Sequence, residues 1–444
     1  MVKVLVTGSY FPLVSSFVHE PVALFTTQKM PHEPTMTTTA APEKRLRILV
    51  LWGAAHFEYY FTKVFLENNR YDFEVVSGDR SKRKSPDAAS LGRLWNLRRR
   101  LMRGEFDLVI SGPIQNSPWP RNKRLATRLA QAFRYFTYKR RMLDTFWTYW
   151  LLAGKLRKQV PLAVVDFLDT SFVLPRDYPL LKASTLYFKL NLYFWPRRSL
   201  MPLENFFGSR RVTPYATKLR PLTNGVHRHS IPEKVRPMRE RDIDICFTGT
   251  IIPNRGEGDI DPFPDLTYNP IRRELYERTL KLESRYKIFC INGIVSKEEY
   301  RELLQRSKLM VCSESFGCET FRHYDASAAG AIPLVNWPYA QNYMPLQLDV
   351  HAIYFSLIGD DFERVVARAL SDPAKLEEIS QNARAFTIRY KEHQHVGDYM
   401  IQETLREHAR LKMSAGASIV PTTILSSTAN PERGAKNEVS ALCD

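Results

Sequence analysis

The chain has 444 residues, of which 44% are hydrophobic and 25% are charged, and its formal net charge is +17. This length and composition exclude a wholly disordered protein and a single small domain; at about 150 residues per domain they predict two or three domains. The excess of basic residues indicates an anionic partner, which is nucleic acid, an anionic membrane surface or a phosphorylated substrate.

The five cysteines include no CxxC pair and no group at zinc-site spacing. An odd number of cysteines in or beside predicted buried strands indicates reduced thiols and a reducing compartment. No apolar run reaches the length of about 18 residues that a membrane-spanning helix needs, and the first residues lack the basic segment of a signal peptide. We therefore expect a cytoplasmic protein that associates with a membrane, if it does so, at its periphery.

The N-terminal part of the chain is predicted to divide into an extension and a first domain. Residues 1–44 are interpreted as an extension and linker, because 27–44 are rich in Thr, Pro and Ala; the alternative is that residues 1–8 form an edge strand. Residues 45–232 are predicted to be an α/β domain. Its buried strands are predicted at 46–52, 71–77, 106–112 and 162–167, separated by helical stretches that favour a parallel sheet. The stretch 186–226 is less regular.

A second α/β domain is predicted at residues 243–412, after a charged stretch, 233–242, that is typical of a linker. Strands are predicted at 243–247, 286–291, 308–312, 332–335 and 351–355. Helices are predicted at 297–307, 321–329, 361–370 and 373–390. Residues 413–444 are small and polar and are predicted to be a disordered tail. Because ligands of open α/β sheets bind at the carboxyl ends of the strands, two such domains predict a cleft with a donor and an acceptor side.

The densest chemical signal is the stretch 313–335, SESFGCETFRHYDASAAGAIPLV. It is predicted to run from a strand through a loop at Gly317 into a helix that ends at Gly330. Arg322 and Asp325 are three residues apart and share a face of this helix. Backbone N–H groups at such a helix start favour a diphosphate, and an arginine stabilises its charge as it leaves. An ordinary buried helix and strand would give the same string, with Arg322 and Asp325 as a surface ion pair.

This stretch resembles the donor-binding signature of GT-B glycosyltransferases, closest to the group-1, exostosin-like and spore-protein-like branches. The matching residues are Arg322, Asp325, Ala326, Gly330, Ile332 and Pro333. The resemblance implies a GT-B-like α/β fold, in which two Rossmann-like domains face a cleft. It also implies a hexosyltransferase-like enzyme that moves a sugar from a nucleotide-sugar donor without a metal ion or a cofactor. The chain departs from many group-1 enzymes, which place two glutamates eight positions apart, because Gly317 stands eight residues before Asp325.

Candidate site residues follow from this resemblance and from their places after predicted strands. The predicted catalytic residues are Arg322, Asp325 and, on the acceptor side, His56. The predicted donor-binding residues are Gly249, Thr250, Arg273, Ser313, Glu314, Gly317, Glu319, Arg322 and Asp325. Asp166 and Lys189 are weaker acceptor-side candidates. No metal site is predicted, because the two DID strings at 242–244 and 259–261 fall at a strand start and in a loop.

Residues 80–103 hold nine Lys or Arg against one acid, and 133–152 mix basic residues with aromatic ones. Such mixtures are typical of surfaces that meet an anionic membrane, and less specifically of nucleic-acid sites; a solvated basic face is the plainest alternative. The leading hypothesis is thus a glycosyltransferase whose partners are a nucleotide sugar and a glycan or lipid-linked acceptor. The alternatives are a catalytically inactive GT-B-like scaffold or partner subunit and, less favoured, a nucleic-acid-binding protein.

Overall fold

The computed structural model describes residues 45–52, 69–77, 91–113, 160–168, 170–251, 268–314 and 318–417. The contacts place Arg45–Asp444 in one compact unit. This unit contains two parallel sheets, so the predicted α/β fold is confirmed.

The first sheet has six strands in the order β2-β1-β3-β4-β5-β7, and every neighbouring pair is parallel. These strands are β1 (Arg47–Trp52), β2 (Asp72–Ser77), β3 (Leu108–Ser111), β4 (Leu162–Asp166), β5 (Leu186–Lys189) and β7 (Leu219–Pro221). The first four were predicted. The last two lie in the stretch 186–226, whose irregular pattern concealed them because they are only four and three residues long.

The second sheet has five strands in the order β13-β11-β10-β8-β9, again all parallel. They are β8 (Ile243–Gly249), β9 (Ile288–Asn292), β10 (Ser307–Cys312), β11 (Ile332–Asn336) and β13 (Ile353–Phe355). A short antiparallel pair, β6 (Leu192–Tyr193) with β12 (Ala340–Gln341), joins the two halves of the chain.

Helices cover the sheets. They are α1 (Leu91–Met102), α2 (Tyr178–Ala183), α3 (Met201–Phe207), α4 (Ser209–Val212), α5 (Tyr268–Lys281), α6 (Lys297–Arg306), α7 (Phe321–Ala328), α8 (Asp361–Leu370), α9 (Pro373–Tyr390) and α10 (His393–Ala417). Helix α6 begins as its sequence predicts, because the Ser296 side chain accepts a hydrogen bond from Glu299 N at 3.1 Å. None of the described helices is both long and apolar enough to cross a bilayer.

The central strands are apolar on both faces, as parallel strands covered by helices must be. In β10, Leu309, Met310, Val311 and Cys312 are all fully buried. Their side chains alternate between two core clusters, since Leu309 and Val311 belong to one and Met310 and Cys312 to the other. The sheet is therefore fixed from both sides, and the loops at its carboxyl edge are held on a rigid base.

Both sheets share one winding pattern. In each, the second strand along the chain lies outside the first, and the third lies on the first strand's other side. The chain direction across the sheet therefore reverses between β1 and β3 in the first sheet and between β8 and β10 in the second. The carboxyl edge at such a switch point is where open α/β sheets bind ligands.

The last helix returns to the first sheet. Val396, Met400 and Ile401 of α10 belong to the core cluster that contains Ile48 and Val50 of β1. The predicted domain at 243–412 thus contains a helix that packs on the other half, and α10 continues to Ala417, past the predicted start of the tail at 413. The contact joins buried apolar side chains that are far apart in sequence, so the local hydrophobic pattern of α10 does not predict it.

Arg241 fixes the segment that was interpreted as a linker. Its guanidinium is buried and donates to the carbonyl oxygens of Leu304 at 3.0 Å, Ser307 at 2.7 Å and Ala329 at 2.9 Å. These are carbonyl groups at the ends of α6 and α7, which have no partner within their own helices. Residues 233–242 are therefore part of the packed domain.

Gly330 ends α7 in the left-handed conformation, with φ at 78°, as predicted from its place after the helix. A Cβ atom at this position would lie 2.6 Å from Arg241 Nη2, and that nitrogen is held by its bond to Ala329.

We expect Gly330→Ala to lower the free energy of unfolding by about 2–3 kcal/mol through strain and this close contact. Gly104→Ala is the matched control, because Gly104 has φ at 70° with nothing near its Cβ, and we expect it to cost only about 1 kcal/mol. Chemical denaturation of both variants measures the difference; equal losses would show that Arg241 moves aside.

Candidate functional site

The candidate site lies at the switch point of the second sheet, where β8 and β10 end. Strand β8 ends at Gly249 and leads into Thr250 and Ile251. Asn292 holds this turn, because its side-chain oxygen accepts a hydrogen bond from Ile251 N at 2.7 Å. Strand β10 leads into Ser313 at the same edge. The structure thus brings together the predicted residues Gly249, Thr250 and Ser313.

Two arginines converge on Gly249. A Cβ atom added to Gly249 would lie 3.6 Å from Arg322 Nη2 and 3.9 Å from Arg272 Nη1. Arg272 is buried on α5 and donates to the Thr250 carbonyl at 3.3 Å and to the Glu314 carbonyl at 3.5 Å. The absence of a side chain at Gly249 leaves the two guanidinium groups facing the end of β8.

Within the described residues, Arg322 has no hydrogen-bonded or ion-paired partner. Its Nε is buried and makes no hydrogen bond, and it forms no ion pair with Asp325 one turn further along α7. The buried Ser313 hydroxyl also has no partner among the residues described. Because a buried N–H group without a hydrogen bond is costly, a half-buried arginine that keeps one is suited to an anionic ligand that supplies the missing acceptor. The alternative of a plain surface ion pair between Arg322 and Asp325 is not what the structure contains.

Helix α7 starts at a cap built from His323. The Thr320 N–H donates to His323 Nδ1 at 3.2 Å. Burial lowers the pKa of His323 to about 4, so its ring stays neutral and can accept this bond. The cap fixes the first turn of the helix and therefore the position of Arg322 within it.

Asp325 is a carboxyl group with an unusual pKa. Burial raises its pKa to about 7, and the positive charge of Arg322 only partly opposes that rise. Burial raises the pKa of Tyr300, whose buried hydroxyl has no partner among the described residues, and the nearby Asp325 charge adds to that rise. Asp325 therefore changes charge near neutral pH, next to the arginine that faces the candidate ligand position.

Glu314 is the second carboxylate at the edge of β10. It is buried, and burial raises its pKa, while a hydrogen bond from Asn336 Nδ2 at 2.6 Å opposes the rise. Asn336 ends β11, the neighbouring strand, so the two side chains meet because their strands are parallel and in register. A carboxylate held this way can accept hydrogen bonds from the hydroxyl groups of a sugar.

Glu319 lies in a different environment from the one predicted. Its two carboxylate oxygens accept hydrogen bonds from Thr223 Oγ1 at 2.9 and 3.1 Å, from Tyr324 OH at 2.6 Å and from Asn224 N. Lys391 Nζ donates to the same Thr223 hydroxyl at 2.8 Å. Glu319 is thus engaged in a buried network that ties the chain after β7 to α7. The geometry gives it a structural position and does not support the predicted contact with a donor.

The carboxyl edges of the two sheets meet beside Glu319. Asn191, which follows β5, accepts a hydrogen bond from Glu319 N at 3.2 Å through its side-chain oxygen. The weaker acceptor-side candidates, Asp166 and Lys189, end neighbouring strands of the first sheet and form a fully buried pair at 3.5 Å. Asp166 also accepts from Tyr187 OH at 2.9 Å. These bonds occupy Asp166, which gives it a structural position.

Of the other predicted site residues, the structure describes Arg273 and places it away from the turn at Gly249. Arg273 is exposed on α5, whereas its neighbour Arg272 is buried against Gly249. His56 and Gly317 lie outside the described residues. The helical period would have distinguished the two arginines, because Arg272 shares a face with the buried Leu275 and Thr279. The roles of Asn292 and Asn336 gave no signal beyond their places at strand ends.

Within the described parts of the chain, no group of three or more His, Cys, Asp or Glu residues is arranged to hold a metal ion. One of the two DID strings, 259–261, lies outside those parts. Asp242 and Asp244 of the other string pair with Arg306 and Lys308. The four cysteines that the structure describes are free thiols.

The chain is similar to one known protein family over part of its length, and to several solved structures at low sequence identity. Residues 268–402 match a family model described as glycosyl transferase-like. A glycosyltransferase from Rickettsia africae matches at 12% identity over 86% of this chain and 100% of its own, with a TM-score of 0.45. The HepE protein of Anabaena in complex with UDP matches at 11% identity over 84% and 100%, with a TM-score of 0.41. Sucrose-phosphate synthase from Thermosynechococcus elongatus matches at 9% identity over 84% and 100%, also at 0.41.

None of the curated proteins matches the sequence. The matched segment, 268–402, includes Arg272 and Ser313 and all of helix α7. The exostosin-like and spore-protein-like branches stay predictions. Residues 268–402, which include the motif around Arg322, are thus similar to a glycosyl transferase-like family, in line with the resemblance that this motif indicated.

Proposed function

We propose that this protein transfers a sugar from a nucleotide-sugar donor, whose diphosphate is bound between Arg272 and Arg322. The observation that carries the proposal is the pair of guanidinium groups at Gly249, at the switch point of a glycosyl transferase-like domain. Arg322 lacks an anionic partner among the described residues, so a diphosphate supplies what the site lacks.

The proposed roles follow from the positions of the side chains. The two arginines hold the diphosphate and offset its growing negative charge as the bond to the sugar breaks, in place of a metal ion. Glu314, which follows β10, accepts hydrogen bonds from the hydroxyl groups of the donor sugar. The acceptor, a glycan or a lipid-linked glycan, approaches from the carboxyl edge of the first sheet, which meets this site near Asn191.

The direct test is a thermal-shift screen of nucleoside diphosphates with matched arginine variants. Saturating ligand is expected to stabilise the wild-type protein by about 3–4 kcal/mol. We expect Arg272→Ala to reduce the stabilisation strongly and Arg273→Ala to leave it unchanged, because only Arg272 reaches the turn at Gly249. The two variants remove the same charge from adjacent positions, so non-specific attraction affects them equally. The base of the nucleotide that gives the largest shift identifies the donor.

Failure of this screen has a definite meaning. A folded wild-type protein that no nucleoside diphosphate stabilises would contradict the proposal and favour the inactive scaffold or partner subunit. Equal losses in Arg272→Ala and Arg273→Ala would show a general electrostatic effect in place of a built site.

The charge of Asp325 predicts how donor binding depends on pH. With its pKa near 7, Asp325 is neutral at pH 6 and ionised at pH 8. The ionised form competes for Arg322 and repels a diphosphate, so we expect rising pH to weaken nucleotide binding by about threefold to tenfold in this range. Titration calorimetry at pH 6, 7 and 8 measures it.

Asp325→Asn is the control for this pH dependence. The phosphate's own ionisation strengthens binding as pH rises, and it acts on both proteins alike. The ratio between the dissociation constants of the wild-type protein and the Asp325→Asn variant therefore isolates the carboxyl group. A ratio that stays constant from pH 6 to 8 would show that Asp325 does not sense the ligand.

A further inference from the structure

A compact surface beside the first sheet carries exposed apolar side chains. The structure exposes 14 large hydrophobic residues, and five of them fall between residues 194 and 207. They are Phe194 (41% exposed), Trp195 (65%), Met201 (49%), Phe206 (73%) and Phe207 (36%). Single exposed apolar residues are ordinary, but a cluster of this kind marks an interaction surface.

The cluster has a defined geometry. Helix α3 buries Leu203 and exposes Met201 and Phe206. Phe207 turns towards the domain, where it stacks on Tyr178 with the ring centroids 4.4 Å apart. The outward side chains are therefore held on an anchored helix.

Arginines surround the apolar side chains. Arg198 lies over the Trp195 ring, 5.7 Å from its centroid. Arg197 on the same turn reaches across to α3 and α4, where it binds Glu204 at 3.1 Å and Ser209 at 2.9 Å. This contact joins the Trp195 turn to both helices and neutralises one of the arginines.

Two further arginines, Arg210 and Arg211, are exposed on α4, the helix that follows α3. Together with Arg198 they form no ion pair among the residues that the structure describes. Glu204, the acid of this stretch, is already bound to Arg197. The surface made of Trp195, Arg198, Met201, Phe206, Arg210 and Arg211, here called the α3–α4 surface, thus has an excess of three positive charges.

We propose that the α3–α4 surface docks on an anionic phospholipid bilayer. At a bilayer surface, Trp195, Met201 and Phe206 enter the boundary between headgroups and acyl chains, and the arginines meet the phosphates. A second copy of the chain is disfavoured, because it would bring the same three arginines together. Nucleic acid would stack on the aromatic rings but would offer nothing to the thioether of Met201.

This proposal is independent of the proposed sugar transfer, because docking requires only the chain and the lipid. It assigns membrane contact to residues other than the basic stretches 80–103 and 133–152 predicted from the sequence, of which 80–90 and 133–152 lie outside the described residues. The α3–α4 surface escaped notice in the sequence because its apolar and basic residues are interleaved with buried ones.

The test is co-sedimentation of the full chain with vesicles, either of phosphatidylcholine alone or of phosphatidylcholine mixed with phosphatidylserine. We expect binding to the mixed vesicles only. The triple variant Arg198→Gln/Arg210→Gln/Arg211→Gln is expected to bind them roughly 100-fold more weakly, since each arginine near an anionic surface contributes about fivefold. Trp195→Ser/Phe206→Ser is expected to lose at least about tenfold.

The matched control is Ile294→Ser/Ile358→Ser, which removes two isoleucines that are 91% and 76% exposed in the second half of the chain. It is expected to bind the mixed vesicles as the wild-type protein does. A salt titration of the wild-type chain separates the two contributions without any variant, because only the arginine part is screened.

Three results would overturn the proposal. Equal binding to both kinds of vesicle would remove the role of the arginines. Normal vesicle binding by both α3–α4 variants, checked for unchanged thermal unfolding, would place docking elsewhere. Loss of binding to a labelled oligonucleotide in these variants, with no vesicle binding by the wild-type protein, would make the surface a nucleic-acid site.

Discussion

Replacing Arg322 with alanine is expected to weaken nucleoside diphosphate binding by about 10- to 150-fold, the range for one or two hydrogen bonds to a charged group. The same change should not weaken the fold. In the described structure the Arg322 Nε is buried without a hydrogen bond, so the free protein carries the cost of this unsatisfied N–H group. We expect the melting temperature of the ligand-free variant to equal or exceed that of the wild-type protein. Calorimetric titration with the best nucleotide and thermal unfolding measure the two halves of this prediction.

The conservative variant Arg322→Lys sharpens the result. A lysine keeps the charge but not the planar fork that binds a diphosphate through two parallel bonds, so we expect it to recover only part of the affinity. The argument would fail if Arg322→Ala lowered the melting temperature as much as a core truncation does while leaving nucleotide affinity intact. That outcome would make Arg322 a packing residue of α7.

The central strands of both sheets were predictable because each contains a run of three to five consecutive apolar residues between predicted helical stretches. Strands β5 and β7 were not, since three or four residues carry too little pattern to distinguish a strand from a loop. Strand β5 is placed by pairing with β4, about 20 residues earlier, and β7 by pairing with β5, about 30 residues earlier. The return of α10 to the first sheet depends on contacts that are more distant still.

In the candidate site too, the sequence predicted the backbone positions better than the directions of the side chains. Motif order predicted Arg322, Asp325 and the Gly249 turn, because backbone positions follow from a strand, a loop and a helix in sequence. The pattern did not reveal which neighbouring side chain points into the site. Arg272 and Arg273 are adjacent and chemically identical, and they differ only in the side of α5 on which each one lies. Glu319 looks like a ligand-binding carboxylate until Thr223, nearly a hundred residues earlier, is placed beside it.

Glu319 is expected to give the largest loss of stability in the described protein. Its carboxylate accepts hydrogen bonds from Thr223, Asn224 and Tyr324 in a buried space. Removing it takes the acceptor from the Asn224 N–H and the Tyr324 hydroxyl and leaves Lys391 buried without the nearby negative charge, so we expect Glu319→Ala to lower the free energy of unfolding by about 3–5 kcal/mol. Glu302→Ala is the control, because Glu302 makes only an exposed ion pair and its loss should cost less than about 1 kcal/mol. Similar losses in the two variants, measured by denaturation, would contradict a structural network at Glu319.

Lys391, the buried cation next to Glu319, adds a prediction about how stability depends on pH. Lys391 is fully buried, and burial lowers its pKa from 10.5 to about 7, although the Glu319 charge opposes the change. Between about pH 7 and 10.5 the unfolded chain therefore binds more protons at this lysine than the folded chain, so its contribution makes stability rise with pH in that range. In Glu319→Gln the opposing charge is gone, the pKa of Lys391 falls further, and the rise should begin at a lower pH. Adding Lys391→Met removes a buried amine that must give up its proton on folding, and it should restore at least about 1 kcal/mol to Glu319→Gln at neutral pH. If the two changes instead added independently, Glu319 and Lys391 would not act as one network across the junction between the sheets.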